Sequence, residues 1–229
     1  MMPDAFLRQA QRHKPDLLQP FRTLPRYAAM IEIAATSDVD ATPAADGVLP
    51  VTAILQRACE AVLEDGLIQD ALFAASEAQR LDIWKLREAA LEVTNSVKTK
   101  IGFDISLPLE RIHDFVARTQ AMVDRTVSGA SLDPLGHLGD GNLHLGIWCE
   151  PDADAQAFQA NAQKMKDAVL DLLVQSGGSF SAEHGIGSHK LGEMRKYKDA
   201  VALDVMRAIK ASLDPKNIMN PGRTIPAAN

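Results

Sequence analysis

The segment His137-Leu-Gly-Asp-Gly-Asn-Leu-His144 constrains this chain more than any other stretch. Asp140-Gly141 is a preferred dipeptide for a two-residue hairpin turn, whose central residues must tolerate positive φ. With that pair at the tip, Gly139 faces Asn142, Leu138 faces Leu143 and His137 faces His144. The two imidazoles then stand on one face of the ribbon with β-carbons about 5 Å apart. Leu138, Leu143, Leu145 and Ile147 point to the other face and can bury. An apolar face thus anchors the hairpin while two histidines and Asn142 are presented together.

Around this hairpin the chain alternates between extended and helical patterns. Residues 1–25, with Pro3, Pro15, Pro20 and Pro25, read as an irregular lead-in to a domain over 26–229. Tyr27 to Ala34 has the composition of a short buried strand, and Ala71 to Ala75 of a second. Val51, Ile54, Leu55, Ala58 and Val62 recur at helical spacing up to Gly66, and Leu81 to Val93 is helical with Trp84 and Arg87 on one face. Asp104-Ile-Ser-Leu-Pro108 alternates as an edge strand does, stopped by its proline. A helix from Glu110 uses Ile112, Phe115, Val116, Thr119, Met122 and Val123, closed by Ser128-Gly129. Phe158, Ala162, Met165, Val169, Leu172 and Leu173 give the strongest helical periodicity, ended by Gly177-Gly178. A short extended piece reaches Glu183, and two further helical stretches end at Asp214-Pro215. The order predicts an α+β fold, a mostly antiparallel sheet covered by helices on one side, with a C-terminal helical segment.

Composition removes several function classes. The chain has 229 residues, 46% hydrophobic and 24% charged, the balance of a globular protein. Its longest apolar runs are a few residues, short of the roughly 20 a bilayer span needs. Net charge is −6 and no basic block is interleaved with aromatics, which disfavours nucleic acid as a partner. Cys59 and Cys149 form no C-x-x-C pair, arguing against a disulfide framework. Met1 to Lys14 has no apolar stretch of the secretory kind, so a cytoplasmic location is expected. No third glycine completes a dinucleotide fingerprint, so this chain is expected not to hold most of any nucleotide cofactor.

Two facing histidines chelate a divalent ion poorly without a third ligand. Glu183, in Ser181-Ala-Glu-His-Gly-Ile-Gly187, is the best candidate, placed where a short strand runs into a turn. His137, His144 and Glu183 would form a two-histidine, one-carboxylate site with open positions, able to polarise a substrate oxygen. His184 would stand close enough to act as general base. Arg87 could clamp a carboxylate through its planar fork; pairing with a nearby acid is its alternative, and Lys98 and Lys100 are open in the same way.

His137-x-Gly-Asp-Gly-Asn-x-His144, Glu183-His184-Gly-Ile-Gly187 and Asp214-Pro-x-x-x-x-Asn220-Pro-Gly222, with Trp84-x-x-Arg87-Glu88 and Ile105-Ser-Leu-Pro108, together resemble the C-terminal domain of the FAD-linked oxidases. This branch of the vanillyl-alcohol oxidase superfamily holds glycolate oxidase, D-lactate dehydrogenase and D-2-hydroxyglutarate dehydrogenase. The resemblance covers essentially the whole chain. It implies the substrate- and metal-binding part of a flavin-dependent D-2-hydroxyacid dehydrogenase, with a divalent metal, usually zinc, on His137, His144 and Glu183. It further implies His184 as the base, Arg87 and Asn142 as substrate contacts and Asn220 as a contact near the flavin.

Lys100 is read as another substrate contact, although the D-2-hydroxyglutarate branch carries its lysine two residues before the aspartate, where Gly102 stands here. That branch also carries a hydroxyl-bearing residue where this chain has Leu91. Nothing in the sequence resembles the family's FAD-binding domain. The expected partners are therefore a flavin-binding domain or subunit, a small 2-hydroxycarboxylate substrate and a separate electron acceptor. The rival readings are a stand-alone metal-binding module without redox activity and a metal-dependent hydrolase.

Overall fold

The computed structural model describes residues 1–45 and 47–227. Strand β1 (Met2–Pro3) leads into helix α1 (Asp4–His13), and β2 (Tyr27–Ala28) pairs antiparallel with β1. There follow α2 (Asp38–Ala41), α3 (Pro50–Glu64), α4 (Glu77–Glu88), α5 (Ala90–Ser96), β3 (Lys100–Gly102), β4 (Ile105–Ser106) and α6 (Leu109–Thr126). The hairpin strands β5 (Ala130–His137) and β6 (Asn142–Cys149), then α7 (Ala155–Gln175), α8 (Leu191–Tyr197) and α9 (Ala200–Leu213), complete the chain order.

Strand β6 is the centre of the main sheet. β5 pairs along its whole length on one side, and β3 and β4 pair with it on the other in a single antiparallel register, from Lys100↔Trp148 to Ser106↔Asn142. The Phe103 amide donates to Leu145 O at 2.8 Å across the break, so β3 and β4 act as one strand and Asp104 lies opposite His144. Side chains alternate across a strand. Ile105, Leu143, Leu145 and Ile147 therefore share one face, where they bury against Phe115 and Val123 of α6 and Met165, Val169 and Leu173 of α7. Each such side chain contributes on the order of 1.5–3 kcal/mol when fully buried. Gly102, Asp104, Asn142, His144 and Gly146 share the other.

That second face is not bare. At one end Trp148 and Leu135 pack with Phe6, Leu7 and Ala10 of α1 and with Leu86 and Val93 of α4 and α5. The helices thus cover both faces rather than one. Beside this second core a cavity opens over the same face, lined by Asp104 and His144 of the sheet and by Trp84 and Arg87 of α4. Helix α4 is started by Ser76, whose side chain accepts from the Gln79 amide, and Leu86 anchors it in the second core, which fixes where Arg87 of its last turn is carried.

The hairpin, α6, α7 and the two C-terminal helices fall where periodicity puts them. Four expectations do not. Residues 1–25 are not wholly irregular: Pro3 occupies the N-cap of α1 and Pro15 lies just beyond its C-cap at Lys14, so these prolines bound a helix with Ala5, Phe6, Leu7 and Ala10 buried. Tyr27 to Ala34 pairs only over Tyr27–Ala28, and Ile31 is 61% exposed, because β1 is too short to pair further. Ala71 to Ala75 finds no partner strand among the described residues, and Leu72 to Ala75 are exposed. Leu81 to Val93 is two helices, α4 and α5, joined at Ala89. The predicted helix after residue 50 forms as α3, but none of its residues is buried.

Candidate functional site

The site is built over one face of the sheet by residues from four separated segments. The hairpin turn differs from the two-residue form. Leu138–Asp140 is one turn of 3-10 helix, and Gly141 alone takes the left-handed conformation, at φ +68°. Its amide donates to Leu138 O at 3.2 Å, and its carbonyl accepts from the Leu107 amide at 2.9 Å. His137 therefore pairs with Asn142, and His144 with Leu135, two residues from the expected register. A shift of two preserves the face, whereas a shift of one would have separated the rings. The histidines are diagonal neighbours, their ring centroids 5.4 Å apart and nearly perpendicular. Leu138, expected on the apolar face, lies in the turn and is 43% exposed.

Glu183 and His184 sit in a loop, not a strand; this stretch meets the sheet through a bridge of Ser179 to Ser106 and through the Ala182 amide on Asp104 O at 3.3 Å. Asp104 holds the loop in place. It is 3% exposed, and its Oδ2 accepts from the backbone amides of Ala182 at 3.1 Å, Glu183 at 3.1 Å and His184 at 2.9 Å. Burial pushes this carboxyl up, but the amide donors of His184 and Ala182, with the charges of His184 and Lys190, more than offset it and the net shift is downward. Lys190 Nζ reaches Ser181 Oγ at 3.0 Å and closes the loop from beneath. Sequence reasoning gave Asp104 no role.

The result is a compact donor cluster. Asp104, His144, Glu183 and His184 each offer an atom within 4.8 Å of the others. His144 Nε2 lies 3.1 Å from Glu183 Oε1, and His184 Nε2 lies 3.8 Å from the same oxygen. The His144 and His184 rings stack at 5.3 Å. Burial lowers the His144 pKa, reinforced by His137 and His184 and opposed by Glu183 and Asp104. Two imidazoles and a carboxylate converging at this range are a donor set that fits a divalent cation such as zinc. Asp104 belongs to the cluster by distance, yet its carboxylate already serves the loop amides.

His137 stands apart from that cluster in one respect: its Nε2 is 3.1 Å from Arg87 Nη2. A guanidinium only donates, so this nitrogen accepts. His137, His144, Glu183, His184, Arg87 and Lys100 all line one cavity of about 1360 Å³. Lys100 Nζ contacts Thr94 O and Asn95 Oδ1, both uncharged acceptors, and burial lowers its pKa. Asn142 and Asn220 are not brought to this cavity. Asn142 is buried within the sheet between Ser106 and His137, its Oδ1 without a hydrogen-bond partner. Asn220 is exposed in the C-terminal loop, at φ +48°. Sequence spacing also gave no hint of Trp84 Nε1 donating to Glu32 Oε1 at 3.2 Å, which pins the 29–36 segment beside the cavity.

A sheet-borne histidine pair, the Glu183–His184 loop and Arg87 line one cavity. The family model of the FAD linked oxidases, C-terminal domain, matches residues 13–224, and the chain belongs to that family. The D-2-hydroxyglutarate dehydrogenase of Xanthomonas citri pv. viticola is 32% identical over 205 residues, 89% of this chain and 41% of the relative. The mitochondrial D-2-hydroxyglutarate dehydrogenase of Rattus norvegicus is 35% identical over 174 residues, 76% of this chain and 31% of its own. A D-lactate dehydrogenase of Anaerostipes hadrus is 32% identical over 171 residues, 74% of this chain and 35% of its own. The chain spans about two-fifths of the length of the first of these relatives. Among the described residues, no helix is long and apolar enough to cross a membrane.

Proposed function

We propose that this chain forms the substrate- and cation-binding part of a flavin-dependent dehydrogenase that oxidises a D-2-hydroxyacid to the 2-oxoacid. The observation that carries this is the meeting of His144, Glu183 and His184 in the cavity that Arg87 also lines. Arg87 takes the substrate carboxylate through its two-pronged donor face. His144 and Glu183, with His137, would hold a divalent cation, zinc by its preference for this donor set; when bound it supplies Lewis-acid polarisation of the substrate oxygens. FAD, held chiefly by a flavin-binding domain or subunit, would supply the hydride acceptor, and a separate electron acceptor completes the proposed set of partners.

His184 takes the hydroxyl proton. Its Nδ1 faces Asp104 Oδ2 at 4.0 Å, leaving Nε2 toward the cluster as the nitrogen that receives the proton. Asp104 then stabilises the imidazolium formed, as an orienting carboxylate does. Lys100, a cation in the cavity with no carboxylate against it, suits the side chain of a dicarboxylate substrate; the names of the relatives, D-2-hydroxyglutarate and D-lactate dehydrogenases, support a small hydroxyacid. Two unpaired cysteines accord with a cytoplasmic location.

A second reading rests on the cluster itself, which includes His184 and leaves out His137: His184 would then be a ligand and not the base. Mixing the chain with the flavin-binding domain of a D-2-hydroxyglutarate dehydrogenase and adding D-2-hydroxyacids should bleach the oxidised flavin. His184→Ala is expected to retain zinc and lose bleaching. Loss of zinc in that variant favours the second reading, and no bleaching with any D-2-hydroxyacid by zinc-loaded native chain contradicts the dehydrogenase.

A further inference from the structure

Arg87 and His137 meet in the cavity although each has been assigned a different task. Arg87 Nη2 sits 3.1 Å from His137 Nε2, and arginine has no acceptor to offer, so the contact occupies the lone pair with which His137 would bind a cation. His137 is also turned edge-on to His144, with its Nε2 on Arg87 of helix α4. By contrast His144 Nε2 is already 3.1 Å from Glu183 Oε1. The cation site is therefore assembled on one side and withheld on the other, and the group that withholds it is the one that faces an incoming carboxylate.

We infer that Arg87 couples the two binding events: while the cavity holds no carboxylate it keeps His137 from the cation, and a carboxylate that engages Arg87 releases His137 to complete the ligand set. This rests on the cation site proposed above and adds a dependence that the site alone does not require. One lone pair cannot serve two partners at once. The same Arg87 fork hydrogen-bonds far better to an anionic carboxylate than to a neutral ring nitrogen. By linkage, each ligand then strengthens the other to the same degree. The substrate carboxylate and the cation would enter as a cooperative pair, and the cation alone would be held weakly by His144 and Glu183.

The test is zinc binding by the chain alone, measured by calorimetry against a competing chelator. No flavin is present, so D-lactate is not turned over. Arg87→Met, which keeps length but loses every donor, is expected to bind zinc on the order of tenfold more tightly than the native chain, the scale of a hydrogen bond to a charged group. Removing a positive charge would also tighten zinc, so the gain is measured again with His137→Ala present, where it should largely vanish. D-lactate should tighten zinc in the native chain by a larger factor than in the His137→Ala chain, which keeps Arg87. Arg87→Ala serves if Arg87→Met does not fold, as judged by circular dichroism. A gain that persists without His137, no gain at all, or equal tightening by D-lactate with and without His137 overturns the coupling while leaving the cation site intact. Zinc that binds none of these chains removes the cation site as well.

Discussion

Two buried aspartates on the same sheet face meet opposite fates, and the difference is what donates to them. Asp104 receives three backbone amides and stays ionised, which is how a carboxylate becomes the fixing point of the Glu183–His184 loop. Asp133 is 1% exposed, its Oδ1 has no hydrogen-bond partner, and burial, with the charge of Asp4 added, pushes its pKa well above 3.8. In the folded protein it remains a neutral acid at pH values where the unfolded chain has already ionised. The folded state then binds more protons, so stability is full below pH 3.8 and falls as pH rises toward the raised value. Asp133→Asn removes that fall. Urea unfolding from pH 4 to 8 should show the variant gaining on the native protein by at most about 1.4 kcal/mol per pH unit. A gap that does not change with pH contradicts this account of Asp133.

At the scale of elements, the hairpin depends on a turn that only glycine fits. Gly141 has φ +68°, and a Cβ there would come within 2.2 Å of Leu107 O, a backbone atom at the junction of β4 and α6. Gly141→Ala is expected to cost roughly 2 kcal/mol through backbone strain and that clash. The measurement is chemical unfolding, with loss of zinc affinity following because the turn sets the spacing of His137 and His144. Native-like stability would show that the turn tolerates a side chain.

The hairpin was legible because its apolar alternation and its turn residues are local. The turn type was not: Asp-Gly favours a two-residue loop, but docking of Gly141 on Leu107 selects a longer one. Long amphipathic helices such as α6 and α7 were legible for the same reason of locality. Tyr27 to Ala34 and Ala71 to Ala75 misled because strand composition does not supply a partner, and pairing is a property of the fold. Helix α1 was hidden by counting prolines without noting that two of them bracket a periodic run. Asp104 was missed because its role is to accept amides from residues almost eighty positions away, which no spacing reveals.

For the whole molecule, the site lies where the second core gives way to a cavity over one face of the sheet. Helices α6 and α7 fill one face, α1, α4 and α5 fill part of the other, and Arg87, Asp104, the histidine pair and the Glu183 loop meet in the space that remains. None of these segments neighbours another in sequence apart from the hairpin strands. The site is thus a product of packing, and the substrate, the cation and the flavin partner proposed for it all meet this one cavity. The central claim is that His144 and Glu183 are cation ligands. Zinc-soaked crystals, with D-lactate added, measure it directly by anomalous diffraction at the zinc edge. The account predicts one strong peak at about 2.0–2.2 Å from His144 Nε2 and a Glu183 carboxylate oxygen. A cavity with no peak, or a zinc held elsewhere with those two side chains unligated, would contradict it.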